Sequence, residues 1–267
     1  MKFLMCDPKF YDIQYEINPW MKIENKPSNH LAVEQWTKLV ELLRKLGATV
    51  EIMVGKASVP DIVFTANAAL MVGETAYLSN FSHPERRAET QLYKVWFEQN
   101  YYQIVEVKDF FEGAGDALFD YNRRLFCGHG FRSSDGALLR DNNFLSQIGG
   151  VPVHYLKLVN SYFYHLDTCF CPLKDGFALA FPPAFDTESY EIIQYHMDVI
   201  EVCEEDAKKF ACNAVCMGNQ VVIPSGCDST YRQLESAGFE VYHTDVSEFI
   251  KAGGACKCLT LRLDDFA

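Results

Sequence analysis

Apolar positions along this chain alternate between a helical and a strand rhythm, and the alternation recurs five times. Leu31, Trp36, Leu39, Leu42 and Leu43 fall at helical spacing in a run that Ser28-Asn29-His30 opens and Gly47 closes in a left-handed turn. Ala48 to Val54 then reads as a strand. The same order returns with Pro84 to Gln99 before Gln103 to Val107, and with Asn142 to Ile148 before Val151 to Leu156. It returns again with Ser189 to Tyr195 before Val199 to Val202, and with Ser229 to Ala237 before Phe239 to Tyr242. An apolar hairpin follows each pair: Ile62 to Leu78, Asp116 to Cys127, Leu166 to Ala180, Asn213 to Ile223, and finally Cys258 to Leu263, which is placed to pair with Lys2 to Met5.

The residues that open these hairpins are Asn67, Asp116, Asp167, Asn213 and Cys258, separated by 49, 51, 46 and 45 residues, which is the signature of an internal repeat. Five such units closing on one another gather their small polar opening residues at a common axis, so the pattern predicts a propeller-like α/β ring. A doubly wound open sheet also alternates helices and strands. It fits less well, because no Gly-x-Gly-x-x-Gly opens a helix and because hairpins stand where crossovers would be required. No linker or low-complexity run divides the chain, and Phe181-Pro182-Pro183-Ala184 reads as a turn between two units, so residues 1–267 are expected to form a single domain.

Composition narrows what such a ring can meet. Hydrophobic residues make up 49% of 267, enough for a sizeable core, and the net charge of −12 disfavours nucleic acid and anionic membranes while suiting a cationic small molecule. The N-terminal apolar run is too short for a signal peptide and no later run reaches membrane-spanning length, which predicts a cytoplasmic protein. Ten cysteines in a reducing compartment are expected as free thiols. Structural zinc is not expected, since of the close pairs only Cys212/Cys216 nears a ligand spacing and no second half matches it.

Four stretches carry chemistry. In Gly253-Gly254-Ala255-Cys256-Lys257-Cys258-Leu259-Thr260 two glycines allow a tight turn before a predicted last strand that presents Cys258 as a nucleophile, with Cys256 on the same strand face as a competitor. Taken alone, an ordinary buried cysteine fits that stretch as well. Phe111-Glu112-Gly113-Ala114-Gly115-Asp116 places two carboxylates on a Gly-rich segment, which suits a planar guanidinium or, equally, a solvated turn. His165-Leu166-Asp167 sets an imidazole and a carboxylate on one face of an extended segment, a working acid–base pair near neutral pH. Pro60-Asp61 with Phe64-Thr65-Ala66-Asn67 adds an acid and an amide at the matching place in the first unit.

In this order and spacing these stretches, together with Gly130-Phe131-Arg132, resemble the guanidine-modifying, or pentein, superfamily over nearly the whole chain. The resemblance implies a five-bladed ββαβ propeller with a central site. It implies that Cys258 attacks a guanidinium carbon, that His165 donates a proton to departing ammonia, and that Glu112, Asp116 and Asp167 hold the guanidinium nitrogens. A bound cation beside Cys258 would itself favour the thiolate. No metal or organic cofactor is needed. Arg86 and Arg132 match the positions that hold a substrate carboxylate, with Arg87 as the alternative to Arg86, and Asn18 matches a substrate-contacting residue.

Within the superfamily, Asn18-Pro19-Trp20-Met21 together with Phe64-Thr65-Ala66-Asn67 is most similar to the arginine dihydrolases, which convert arginine to ornithine, carbon dioxide and two ammonia molecules. Dimethylarginine hydrolases typically carry an acid where Asn67 stands, and arginine deiminases carry an extra helical segment for which this chain has no room. A dimethylargininase, a deiminase, an amidinotransferase passing the amidine to an amine, and a non-catalytic binding protein on the same ring are the alternatives. The expected partner is L-arginine or a related guanidine.

Overall fold

The computed structural model describes residues 1–140 and 142–265, with Asn142 and Asn143 described by their backbone alone. Strand β1 (Lys2–Cys6) is followed by helix α1 (Asn29–Lys45) and by β2 (Thr49–Met53), which returns parallel to β1. Ser28 caps α1 by accepting a hydrogen bond from the Leu31 amide, and Trp36, Leu39, Val40 and Leu43 form its buried face. Leu31, expected on that face, lies on the solvent side at 45% exposure.

Four further units share one plan. In the first, β3 (Ala69–Val72) and β4 (Thr75–Leu78) form a hairpin, and α2 (Arg87–Gln99) leads into β5 (Gln103–Glu106), parallel to β4. The next holds β6 (Ala117–Phe119), β7 (Leu125–His129), α3 (Asn142–Ile148) and β8 (Val153–Lys157). It is followed by β9 (Phe170–Pro172), β10 (Phe177–Ala180), α4 (Thr187–His196) and β11 (Asp198–Glu201). After the short α5 (Glu204–Ala207) come β12 (Val215–Met217), β13 (Gln220–Pro224), α6 (Asp228–Ser236) and β14 (Glu240–Thr244). Helix α7 (Ser247–Ile250) then leads to β15 (Leu261–Arg262), which pairs antiparallel with β1 through Phe3↔Arg262 and Leu4↔Leu261. Among the described residues the result is five three-stranded sheets, each an antiparallel pair plus a parallel strand reached through a helix; in four the pair is a hairpin, and in the fifth it is β15 with β1.

The five-unit ring and the closing partnership of the last strand with the first are as the repeat predicts. Two expectations need correction. Phe181 to Ala184 does not separate units: it joins β10 to α4 inside one blade, because the strand after each helix pairs with the hairpin before it. The last strand is also far shorter than expected, spanning only Leu261–Arg262. Residues 256–259 instead coil into turns: Leu259 N donates to Ala255 O and Thr260 N to Lys257 O, while the amides of Lys257 and Cys258 donate to Asn213.

Around the axis the opening residues form a closed circle of hydrogen bonds. Asn67 Nδ2 donates to Glu112 O, and Asp116 Oδ1 accepts from Leu166 N. Asn213 Nδ2 donates to Asp167 O, while Asn213 Oδ1 accepts from Cys258 N, and Cys258 O accepts from Ala66 N. Each bond joins one blade to the next. Buried polar groups that satisfy one another in this way hold a single geometry, since any blade that shifts leaves an unpaired group in a dry core. All ten cysteines stand as free thiols. Among the described residues, no helix is long and apolar enough to cross a membrane.

Candidate active site

A small cavity is walled by residues that include Asn18, Asp61, Asn67, Arg86, Arg132, His165 and Cys258. Phe64 and Gly254 shape its floor: a Cβ on residue 254 would sit 2.5 Å from the Phe64 ring, so only glycine lets the backbone pass. Gly253, at φ +82°, makes the turn that aims Cys258 inward.

Cys258 is held from three directions. Its backbone amide and that of Ala255 both donate to Asn213 Oδ1, at 3.0 and 3.1 Å, and Asn213 Nδ2 donates to its sulfur at 3.1 Å. Asp167 presents both carboxylate oxygens to Sγ, at 3.4 and 3.6 Å. Burial, and then the Asp167 charge, pushes the Cys258 thiol well above its ordinary value, which suits it as a donor to Asp167. Cys256 does not share its face. The turn sends Cys256 into the apolar core, away from the cavity wall, which removes the expected competition. Cys256→Ala should therefore keep its turnover and lose about 1 kcal/mol of stability. Loss of activity in that variant while Cys258→Ser stays active, both assayed as purified proteins, would reverse the assignment.

His165 and Asp167 were expected side by side on an extended segment. Only His165 is extended; Leu166–Thr168 is a 3-10 turn. The turn points Asp167 at Cys258 and leaves the His165 ring against Glu112, Nε2 lying 2.7 Å from Oε2. Opposite sides of the reaction centre are thus served by neighbouring residues.

In the structure both acids of the Gly-rich segment are engaged by protein groups. Glu112 Oε2 is shared by His165 and by Arg132 Nη1, while Oε1 accepts from the hydroxyl of Ser82 at 3.0 Å. Burial alone would raise this carboxylate; Arg132, then the hydrogen bond and charge of His165, outweigh it and hold Glu112 well below the usual range. Asp116 takes the Ser133 hydroxyl at 2.6 Å and Leu166 N at 3.0 Å and stands outside the cavity wall. Both acids position other groups.

Asp61 is different. Its Oδ2 accepts from Tyr15 OH at 3.0 Å, but its buried Oδ1 has no partner and the residue lines the cavity. An unpartnered buried carboxylate oxygen is costly unless a ligand meets it, and a guanidinium N–H supplies the missing donor. Asn67 has its amide fixed at both ends, Nδ2 on Glu112 O and Oδ1 accepting from Arg86 Nη1 at 2.9 Å. Arg86 in turn grips Glu89 through Nε and Nη2, each at 2.8 Å. Arg87 turns outward to the carbonyls of Phe81 and Ser82 and leaves the cavity to Arg86.

A loop folds over the mouth. Asn18 Oδ1 accepts from the amides of Trp20 and Met21, and its Nδ2 donates to Ala252 O and Tyr164 OH. Arg132 Nη2 donates to Ile17 O at 2.9 Å while its guanidinium lies over the Tyr164 ring. Among the described residues no group of three or more His, Cys, Asp or Glu could hold a metal ion.

The site also contains residues the sequence reading passed over. Glu89 was signalled by Arg86-x-x-Glu89, a spacing that puts both on one helix face. Asn213 was found as a repeat position without a role. Ser133 directly follows Arg132 and meets Asp116 17 residues back, while Tyr15 meets Asp61 46 residues on; neither stands in a pattern that marks its partner.

Comparison with known proteins places this arrangement among relatives. The profile of the family described as N,N dimethylarginine dimethylhydrolase, eukaryotic, matches residues 12–264. The bifunctional arginine dihydrolase/ornithine cyclodeaminase AgrE of Nostoc sp. is 44% identical over a stretch covering 99% of this chain and 38% of AgrE, so this chain spans well under half of that relative's length. The N(G),N(G)-dimethylarginine dimethylaminohydrolase of Mycobacterium tuberculosis is 35% identical, over 98% of this chain and 85% of that protein. Among solved structures, the N-terminal domain of ArgZ, an arginine dihydrolase from the ornithine–ammonia cycle in Cyanobacteria, in a cysteine-to-serine mutant bound to substrate, superposes with a TM-score of 0.92 at 43% identity, covering 98% of this chain and 97% of that one.

Proposed function

The chain belongs to the dimethylarginine dimethylhydrolase family of the pentein superfamily, and from that premise we propose that it hydrolyses free L-arginine to ornithine, carbon dioxide and two ammonia molecules. The observation that carries this reading is the cavity itself: a buried thiol and an unpartnered carboxylate oxygen of Asp61 share one small chamber in which Asn67 supplies a neutral amide. Similarity to AgrE and ArgZ, both named as arginine dihydrolases, supports the choice within the family.

The guanidinium enters with one edge on Asp61 and its carbon toward Cys258 Sγ. Its positive charge lowers the cost of ionising the thiol, whose proton passes toward Asp167. Sulfur attacks the carbon, one C–N bond breaks, and His165, held by Glu112, protonates the leaving ammonia. Water then displaces the thiolate and leaves the ureido compound. A second attack by Cys258 on the ureido carbon expels the second ammonia, and water releases a carbamate that loses carbon dioxide to give ornithine. One arginine and two waters balance one ornithine, one carbon dioxide and two ammonia. The α-carboxylate faces Arg86 and Arg132, and Asn18 holds the covering loop. Glu112 stays ionised throughout, and a neutral Asn67 leaves the second substrate, which has no charge, without a surplus of acids around it.

Incubating purified protein with L-arginine and following ornithine, citrulline and ammonia tests the proposal. Ornithine with about two ammonia per arginine is expected, as two rounds of nucleophilic attack require. Citrulline that accumulates would make the reaction a deiminase type instead, and turnover of methylated arginine alone would make it a dimethylargininase.

Acid should slow the reaction. Burial raises Asp167 from the ordinary 3.8 to about 6, with Lys257 and the hydrogen bonds from Cys258 and Asn213 pulling the other way. Asp116 is likewise raised by burial to about 6. Below that pH Asp167 carries a proton and cannot take the one from Cys258, so kcat/KM should fall roughly tenfold per pH unit. Stability runs the other way for these two acids. Being raised in the folded state, they bind protons more tightly there than in the unfolded chain, so their contribution to stability is largest below the ordinary value and declines as pH rises through about 6. A pH profile flat down to 5 would remove Asp167 from the mechanism.

A further inference from the structure

A second cavity opens elsewhere on the ring and shares no wall residue with the catalytic one. Three cysteines line it: Cys212, and the facing pair Cys171 on β9 and Cys216 on β12, inner strands of neighbouring blades. The sulfurs of the pair lie 3.5 Å apart, in mutual contact. The Cys171 sulfur also meets Ala214 O of the neighbouring blade at 3.7 Å, so the two strands are already in register at this point. Of the remaining thiols, Cys203 is exposed on the surface and the others are buried. Cys216 is only half-buried, and Lys257 lines the same wall.

We propose that Cys171 and Cys216 are a modification site for hydrogen peroxide, closing reversibly into a disulfide that ties two blades together. The ionised Cys216 sulfur attacks one peroxide oxygen, the O–O bond breaks, and the sulfur becomes a sulfenic acid while hydroxide leaves and takes up a proton. Cys171 then attacks that sulfur and expels the second oxygen as water. Two thiols and one peroxide give one disulfide and two waters; the sulfur pair loses two electrons and the peroxide gains two. The contact with Cys171 and burial push the Cys216 thiol up, while Lys257 opposes them, so the reaction is slow at neutral pH and quickens as pH rises.

The bond reaches the catalytic centre through the strands. A disulfide is about 2.0 Å long, so the sulfurs must draw together by about 1.5 Å. Cys171 stands four residues after Asp167 and Cys216 three after Asn213, and these are the residues that hold the sulfur and amide of Cys258. Pulling the strands together tilts that junction. This consequence for turnover rests on the arginine reading; the formation of the bond does not.

Two measurements separate them. Peroxide is added at mildly alkaline pH to the Cys258→Ser variant, so that the nucleophile consumes none; free thiols are alkylated and peptides mapped. A Cys171–Cys216 disulfide that dithiothreitol reverses is expected. Recovery of both cysteines fully alkylated, while exposed Cys203 is oxidised, would overturn the site. The second measurement treats the otherwise native enzyme, its cavity shielded by saturating ornithine, and follows kcat after dilution. A several-fold fall that tracks the disulfide, returns with dithiothreitol and is missing in Cys171→Ser is expected. A bond that forms with kcat unchanged would overturn its control of the catalytic centre. Mapping decides the site even for a chain that does not turn over arginine.

Discussion

Cys258→Ser should lower kcat on arginine by roughly 10⁴-fold or more, as removal of a nucleophile does when no neighbour can replace it. Serine keeps the shape of the site and the donor toward Asp167, and its amide still donates to Asn213 Oδ1. What it lacks is a group that can ionise beside a guanidinium at neutral pH: a hydroxyl stays protonated where a thiol can be deprotonated. Binding should survive, because Asp61, Arg86 and Arg132 are untouched. Calorimetry with arginine should therefore show heat of binding with no ammonia released, and the folded stability should stay close to that of the parent chain. A Cys258→Ser protein that retains a tenth of the parent kcat would mean that the attacking group lies elsewhere.

Glu112→Gln should cost both turnover and stability. The carboxylate is fully buried and is shared by His165 at 2.7 Å and Arg132 at 3.2 Å, with Ser82 on its other oxygen. Glutamine removes the charge and turns one acceptor into a donor, which then faces one of these groups. His165 loses the carboxylate partner that fixes its ring, so its ability to protonate departing ammonia falls; losses of general acid catalysis run from about 10² to 10⁴. Arg132 is left buried with its charge unmet, and breaking a buried pair costs about 3–5 kcal/mol. Urea titration should thus show an earlier midpoint alongside the loss of kcat. If stability falls and kcat does not, Glu112 serves Arg132 alone and His165 is oriented by something else.

Much of this architecture is legible from residue order. Helical and strand periodicities are set by burial on one face, which is a local property, and so α1, α2 and α4 emerge at nearly their observed bounds. Spacing between Asn67, Asp116, Asp167, Asn213 and Cys258 reports a repeat because equivalent blades need equivalent lengths. The errors occur where a local pattern meets a long-range partner. Alternation around Cys256 and Cys258 reads as a strand, but Asn213, 45 residues away, takes two amides from this segment and coils it into turns. His165-x-Asp167 also reads as extended, but there the cause is local: the Thr168 hydroxyl and amide both return to His165 O and curl the segment. Carboxylates pose a further problem, for residue type says that Glu112, Asp116 and Asp61 can each meet a cation but not which is already occupied. Only packing tells that Arg132 and Ser133 have claimed the first two and that Asp61 keeps an oxygen free.

The pairing of β15 with β1 has a kinetic corollary. Phe3 and Arg262 are 259 residues apart in the chain yet face each other in one sheet. Four sheets assemble from nearby segments, while the fifth must wait until both distant segments are present and have found each other, a slow step because closing so long a loop is entropically costly before any contact rewards it. Cys258 lies three residues before that final strand and gains its Asn213 and Asp167 contacts only with it. Refolding should therefore recover most helical signal early and reactivity of the central thiol late, with the last blade acting as the clasp that turns a folded arc into a catalyst.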